Sequence, residues 1–167
     1  MTKAEMRVQI AKDVIKQIAA KKYKATQGSY VANGEFYRQF DSMHKLYDEE
    51  AQVKVPKTRC DVCAIGACFL ATVDRFDKLK VGDLPGCWNP EYGRGGQVQY
   101  LNKWFSPDQL TLMEVAFEKG EVPPTAYKGS DDRLDDAVAY GCQYKTANQR
   151  LVAIMRNVIR NKGTFKP

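Results

Sequence analysis

A run of small, apolar and sulfur-bearing residues, RCDVCAIGACFLATV at positions 59–73, constrains the fold of this chain more than any other segment. Three of the five cysteines, at positions 60, 63 and 68, lie in this run, whereas the flanking sequence is mostly polar. Such a segment is either a buried central element or a cysteine site. Its length, Gly66 and its alanines favour a tightly packed helix, although periodicity alone leaves a buried strand open.

Helix start signals recur along the rest of the chain. The sequences TKAE at 2–5 and TANQ at 146–149 have the pattern of a capping box, and SPDQ at 106–109 adds a proline at the first helical position. Apolar residues at helical spacing follow each signal. They are Met6, Ile10, Val14 and Ile18, then Leu110, Met113 and Phe117, then Leu151, Ile154, Met155, Val158 and Ile159. Shorter helices are predicted near 35–48 and after Ser130, the second of them ending at Gly141. Gly163 is expected to end the helix that starts at Thr146.

These signals predict a mainly α fold, in which residues 1–167 form a single compact domain of five to six helices. One long irregular loop is expected at 74–100, where glycine and proline are frequent. No stretch approaches the roughly 20 apolar residues that span a bilayer. The charged N-terminus does not resemble a secretory signal. We therefore expect a cytoplasmic protein with no membrane partner.

The distribution of charge is uneven. The net charge is +6, but residues 1–24 carry +5 and residues 143–167 carry +6, so the middle of the chain is acidic. If the two terminal helices pack side by side, they form one basic face. Such a face suits nucleic acid, a nucleotide or an acidic protein surface, whereas the simpler alternative is a pair of solvated lysine-rich helices without a partner.

The cysteines allow a metal or redox interpretation. Cys60 and Cys63 have C-x-x-C spacing and share one side of a predicted helix. They are suited to half of a zinc site, with Cys87 and Cys142 as further ligands, or to redox chemistry. There is no second C-x-x-C and no nearby histidine. We therefore favour a core helix, in which Cys63, Ala67 and Leu70 are packing residues, and expect no metal or cofactor.

Catalytic patterns are weak. His44 is the only histidine, and it lies in the charged segment FDSMHKLYDEE. The acidic clusters at 48–50 and 131–136 indicate solvated side chains, whereas acid–base enzymes need two carboxylates in different environments. The glycine-rich segment at 93–96 follows no clear strand and is a poor match to a phosphate loop. The chain is therefore not expected to be an enzyme.

Binding residues are more plausible between 88 and 104, where the sequence is WNPEYGRGGQVQYLNKW. Aromatic side chains with interleaved cations can stack on bases and contact phosphates. Trp104 and Phe105 are instead expected to pack before the helix that starts at Ser106. The predicted ligand-binding residues are Trp88, Tyr92, Arg94 and Lys103, with Lys57 and Arg59 on the same surface.

Three segments together resemble a group of small proteins from bacteriophages, prophages and bacteria. The segments are CDVCAIGACFLATV, YLNKWFSPDQLTLMEVAFE and NQRLVAIMRNVIRNKGTFKP, and the resemblance covers residues 57–119 and 146–165. It implies no catalytic residues. It does imply a context, because small phage proteins without enzyme motifs often bind a host protein or a host signalling nucleotide.

The function expected from these observations is non-enzymatic binding by a phage-encoded protein. The target would be anionic, either a signalling nucleotide or a host immune protein, and binding would counteract antiviral defence. A nucleic-acid-binding protein that uses the basic terminal helices is the first alternative. A cysteine-based zinc or redox protein is the second. We also expect a homo-oligomer.

Overall fold

The computed structural model describes residues 1–39, 48, 50–76, 79–83, 94–119 and 132–167, with the backbone alone for 94–97. This part of the chain is mainly α, as predicted, and contains seven α-helices. They are α1 (Lys3–Ala19), α2 (Gly34–Arg38), α3 (Ala64–Phe76), α4 (Arg94–Leu101), α5 (Pro107–Glu118), α6 (Asp132–Cys142) and α7 (Ala147–Arg160). A 3-10 turn occupies Val81–Asp83.

A small sheet was not predicted. It consists of β1 (Tyr23–Ala25), β2 (Val31–Ala32) and β3 (Cys60–Val62), in the order β1-β3-β2. The central strand β3 runs parallel to β1, with Tyr23 opposite Cys60, and antiparallel to β2, with Val31 opposite Val62. The run at 59–73 is thus a strand followed by a helix, and the prediction that Cys60 and Cys63 share one side of a helix was wrong.

Helix α3 is the centre of the core, as expected for the small-residue run. Every residue from Ala64 to Val73 is buried, and Cys63 before it is buried too. This range includes Ala67 and Leu70, which were predicted together with Cys63 to pack in the core. Gly66 explains part of the composition, because a Cβ there would lie 1.5 Å from the carbonyl oxygen of Tyr30. Only glycine therefore allows α3 to pack against the segment that enters β2.

The predicted capping residues are confirmed at all three helix starts. Thr2 and Thr146 form complete capping boxes, and the Ser106 hydroxyl accepts from the Gln109 amide nitrogen. The side chain of Gln109 does not complete a box at Ser106. Its amide instead forms two hydrogen bonds with the backbone of Phe165, which fixes the C-terminal segment on α5.

Two other boundaries differ from prediction. Residues 94–101 form α4 rather than part of a loop, and α6 continues through Gly141 to Cys142. Gly141 is a contact residue rather than a stop, since a Cβ there would lie 1.9 Å from the carbonyl oxygen of Ala116 in α5. The predicted helix at 35–48 corresponds to α2 at its start, and its remainder lies largely outside the described residues.

A buried arginine side chain joins three helices. Arg150 of α7 is only 1% exposed, and its guanidinium donates to the carbonyl oxygens of Phe117 (2.6 Å) and Gly141 (3.3 Å). These acceptors lie at the carboxyl ends of α5 and α6, where the helix dipole favours a cation. The arginine therefore fixes both helix ends against α7. None of the helices described is long and apolar enough to span a membrane.

Candidate functional site

The six predicted ligand-binding residues are only partly described. Trp88, Tyr92 and the side chain of Arg94 lie outside the described part of the chain. Lys103 is exposed in the turn between α4 and α5, with its ammonium 4.6 Å from the centre of the Tyr100 ring. This set of residues stays a prediction.

Lys57 and Arg59 lie in the segment that precedes β3, and both are exposed. That segment contacts the start of α2, because the Asn33 amide donates to Thr58 Oγ1 (3.0 Å) and to the Arg59 carbonyl oxygen (3.1 Å). The turn that holds Lys103 contacts α1 and α3, since the Trp104 carbonyl oxygen accepts from Arg7 and the Trp104 ring stacks on Phe76 at 5.1 Å. The stacking of Trp104 and the burial of Phe105 agree with the packing role expected for them.

The cysteines of the core segment have environments that suppress thiolate chemistry. Burial raises the pKa of Cys60 to about 11 and that of Cys63 to about 12, and it raises the pKa of Cys68 as well. A raised thiol pKa keeps the group protonated near neutral pH, whereas nucleophiles and metal ligands are thiolates. In the residues that the structure describes, no three His, Cys, Asp or Glu side chains are grouped so that they could bind a metal ion.

The two terminal helices pack against each other, which is the condition on which the predicted basic face depends. They run antiparallel. The end of α7 lies beside the start of α1, because a Cβ on Gly163 would be 2.6 Å from the Ala4 carbonyl oxygen. At the opposite end, Ile18 of α1 and Val152 of α7 line one surface groove. The Arg7 guanidinium fixes this arrangement by donating to the carbonyl oxygens of Gly163 (2.5 Å) and Trp104 (2.9 Å).

The terminal segments carry thirteen Lys and Arg side chains, of which three have structural roles. Arg7 and Arg150 donate to backbone carbonyls, and Lys24 pairs with Asp61. The other ten are exposed, and none of them forms an ion pair with another described residue. We use the name α1/α7 face for the surface of α1, α7 and the adjoining segments that carries these ten: Lys3, Lys12, Lys16, Lys21, Lys22, Lys145, Arg156, Arg160, Lys162 and Lys166.

The acidic side chains of the two terminal segments do not neutralise this face. Asp13, one of two acids in the first 24 residues, binds Arg75 of α3 at 2.6 Å, and Glu5 serves the capping box of α1. The carboxyl pKa of Glu5 is lowered by its hydrogen bonds from Thr2, so it is ionised at neutral pH. In the two terminal segments thirteen cations therefore stand against two acids, and their field attracts anions.

A groove crosses the α1/α7 face, and sequence reasoning did not find it. Its volume is about 670 Å³, and it is lined by residues of α1, of the turn between α6 and α7, and of α7. Ile18 and Arg156 are far apart in the chain, so only the tertiary fold brings them together. The available signal was the basic character of both termini, which predicts the charge of this surface but not its shape.

Comparison with protein-family models, curated proteins and solved structures finds no match. What the α1/α7 face can bind therefore follows from its own charge and shape. Exposed Lys and Arg side chains attract carboxylates and phosphates. The apolar residues between them add affinity for a partner that is not uniformly charged.

Proposed function

We propose that this chain is a non-enzymatic binding protein that engages an acidic protein surface through the α1/α7 face. The observation that carries the proposal is the antiparallel packing of α1 and α7. Ten exposed cations lie on these helices or on the segments that adjoin them, and they lack ion-pair partners among the described residues. Complementary charge steers association and selects partners. The raised pKa values of Cys60 and Cys63 also favour binding over cysteine chemistry.

The resemblance to phage and prophage proteins supports a partner in a host process, such as a host immune protein. A host signalling nucleotide stays a second possible target, through the predicted residues Trp88, Tyr92 and Arg94. In either case binding would sequester the target or cover it, and no group is transferred. A cytoplasmic location and a homo-oligomer fit this role and are part of the proposal.

Nucleic acid is the alternative target that one observation favours. Helix α1 has 17 residues, which corresponds to a length of about 25 Å. Phosphates repeat about every 3.4 Å along one strand, so a face of this length can contact several of them. Binding to duplex DNA that weakens steeply with salt, and that exceeds binding to an acidic polypeptide, would favour this alternative.

The test compares two matched charge reversals. Lys16→Glu with Arg156→Glu changes the α1/α7 face, and Arg38→Glu with Lys54→Glu makes the same change in net charge at exposed positions near α2. Fluorescence anisotropy with labelled poly-L-glutamate measures the affinity. We expect the first variant to bind about tenfold or more weakly and the control to stay within about threefold of the wild type. Equal losses in both variants would contradict a localised face.

A further inference from the structure

The groove across the α1/α7 face, which we call the α1/α7 groove, has an apolar centre. Ile18 comes from α1, while half-buried Val152 and buried Ala153 come from α7. The Tyr144 ring adds a flat apolar surface at the turn between α6 and α7. A patch of this kind on a strongly basic surface indicates a ligand with both apolar and anionic groups.

Two cationic side chains, Lys145 and Arg156, flank this apolar centre. Lys145 lies just before the N-terminus of α7 and Arg156 lies two to three turns further on, and both line the groove and are exposed. Positions 148 to 156 of α7 span about 12 Å along the helix axis. None of the described residues that line the groove is acidic. They are Ile18, Gln143, Tyr144, Lys145, Asn148, Gln149, Val152, Ala153 and Arg156.

Hydrogen bonds fix the walls of the groove. The Asn148 side chain accepts from the Ala25 backbone nitrogen at 2.8 Å, which attaches the start of α7 to β1. The Tyr140 hydroxyl donates to the Ala153 carbonyl oxygen at 3.0 Å, and its ring lies 5.5 Å from that of Tyr144. The groove is therefore preformed, and a ligand does not have to order these elements on binding.

We infer that the α1/α7 groove binds an acidic amphipathic helix of a partner protein. Apolar residues spaced three and four apart on such a helix would contact Ile18, Val152 and Ala153, while flanking carboxylates would meet Lys145 and Arg156. This is the helix-in-groove mode of recognition. The stretch of α7 that lines the groove is about 12 Å long, which fits two turns of a bound helix. A small-molecule site would instead enclose most of its ligand. The inference rests on the proposed function and deepens it by naming the kind of segment that is recognised.

Two synthetic peptides of 18 residues test the inference. In the first, leucines and glutamates form opposite sides of a helix, and in the second the same residues are permuted so that no apolar stripe remains. NMR titration of methyl-labelled protein measures both affinities. We expect the first peptide to bind about tenfold or more tightly than the second. We also expect it to shift the methyl resonances of Ile18, Val152 and Ala153.

A matched pair of variants locates the contact. Val152→Asp places a negative charge in the α1/α7 groove, whereas Ile159→Asp places one at another half-buried position of α7 that does not line it. Val152→Asp should weaken binding of the amphipathic peptide about tenfold or more, and Ile159→Asp should stay within about threefold. If either variant fails to fold, the methyl shifts of the wild type still decide the question.

Failure of this inference can be distinguished from failure of the proposed function. Equal binding of both peptides, together with binding of poly-L-glutamate, would overturn the groove inference and leave the basic face intact. No binding of any acidic polymer would overturn both. Self-association that is lost in Val152→Asp would assign the groove to a second copy of the chain, and the same methyl shifts on addition of a mononucleotide would assign it to a small anion. Either result would overturn the inference.

Discussion

The Arg7 guanidinium donates to the carbonyl oxygen of Gly163 across 156 positions of sequence. The same guanidinium donates to the Trp104 carbonyl oxygen at 2.9 Å, so one side chain of α1 joins the turn before α5 and the turn after α7. Gly163 also lets the start of α1 come close, because a Cβ there would lie 2.6 Å from the Ala4 carbonyl oxygen, and its φ is +92°. The relationship sets the antiparallel pairing of α1 and α7, on which the α1/α7 face depends.

Replacement of Arg7 by leucine should destabilise the fold. It removes two charge-assisted hydrogen bonds and leaves two carbonyl groups without their donor, which costs about 2 kcal/mol. Thermal unfolding should shift downward by about 4–8 °C for a chain of this size. Lys12→Leu is the matched control, since Lys12 is an exposed cation of the same helix, and it should change the melting temperature by less than about 2 °C. Similar losses in both variants would contradict the anchoring role.

Gly141→Ala should be strongly destabilising, because the new Cβ would lie 1.9 Å from the Ala116 carbonyl oxygen and force α6 away from α5. We expect a loss of roughly 3 kcal/mol or more in the free energy of unfolding, measured with urea. Gly34→Ala is the control, because a Cβ there would have no atom within 4 Å apart from the adjoining backbone of its own helix. It should leave stability within about 0.5 kcal/mol. A tolerated Gly141→Ala would contradict the close contact of α5 and α6.

Lys21→Gly should stabilise the protein. Lys21 follows α1 in the left-handed conformation, with φ at +59°, and its neighbour Lys22 donates to the Gln17 carbonyl oxygen as in a Schellman motif. A lysine in this conformation costs about 1 kcal/mol relative to glycine. Lys16→Gly, within α1, should instead destabilise by about 1 kcal/mol. Calorimetry measures the stability of both variants. A change in stability of the same sign in both would contradict the left-handed conformation assigned to Lys21.

The buried thiols give a prediction on pH. The folded pKa values of Cys60 and Cys63, about 11 and about 12, lie above their ordinary value of 9.0. Between pH 9 and 11 the native state therefore binds more protons than the unfolded state, and stability should fall as pH rises through that range. Substitution of both cysteines by alanine should flatten this dependence in urea unfolding curves. An unchanged slope would indicate that other groups cause it.

Alkylation tests the same environments at neutral pH. Cys142 is exposed at the end of α6, whereas Cys60, Cys63 and Cys68 are buried. Iodoacetamide at pH 7.5 should modify Cys142 in the folded protein and reach the three buried cysteines only after denaturation. Peptide mass spectrometry gives the extent at each site. Rapid modification of Cys60 or Cys63 in the native protein would support the alternative of a cysteine-based zinc or redox protein.

Helix starts and the buried stripes of α1, α5 and α7 could be predicted because their signals are local. A capping side chain acts on amides three residues away, and an apolar stripe needs only one period to be recognised. The sheet was missed because its strands have two or three residues, too few to show alternation. Helix α4 was missed because its first turn contains Gly95 and Gly96, which are typical of loops.

The long-range features could not be read from the sequence. Arg150 appeared to be one more basic residue of the last helix, yet it is buried because Phe117 and Gly141 supply acceptors from two other helices. Gln109 matched a capping box, but the backbone of Phe165 offers its amide both a donor and an acceptor. Each outcome depends on a partner that only the tertiary fold brings within reach.

Lysine acetylation footprinting tests the central claim most directly, because one experiment reports the position of an acidic ligand residue by residue. The protein is acetylated with and without saturating poly-L-glutamate, and each lysine is quantified by mass spectrometry. We expect protection of Lys12, Lys16, Lys145 and Lys162, all exposed on the α1/α7 face, and little change at Lys54 near α2. Protection confined to Lys57 and Lys103 would place the ligand at the site predicted from sequence and contradict binding by the α1/α7 face.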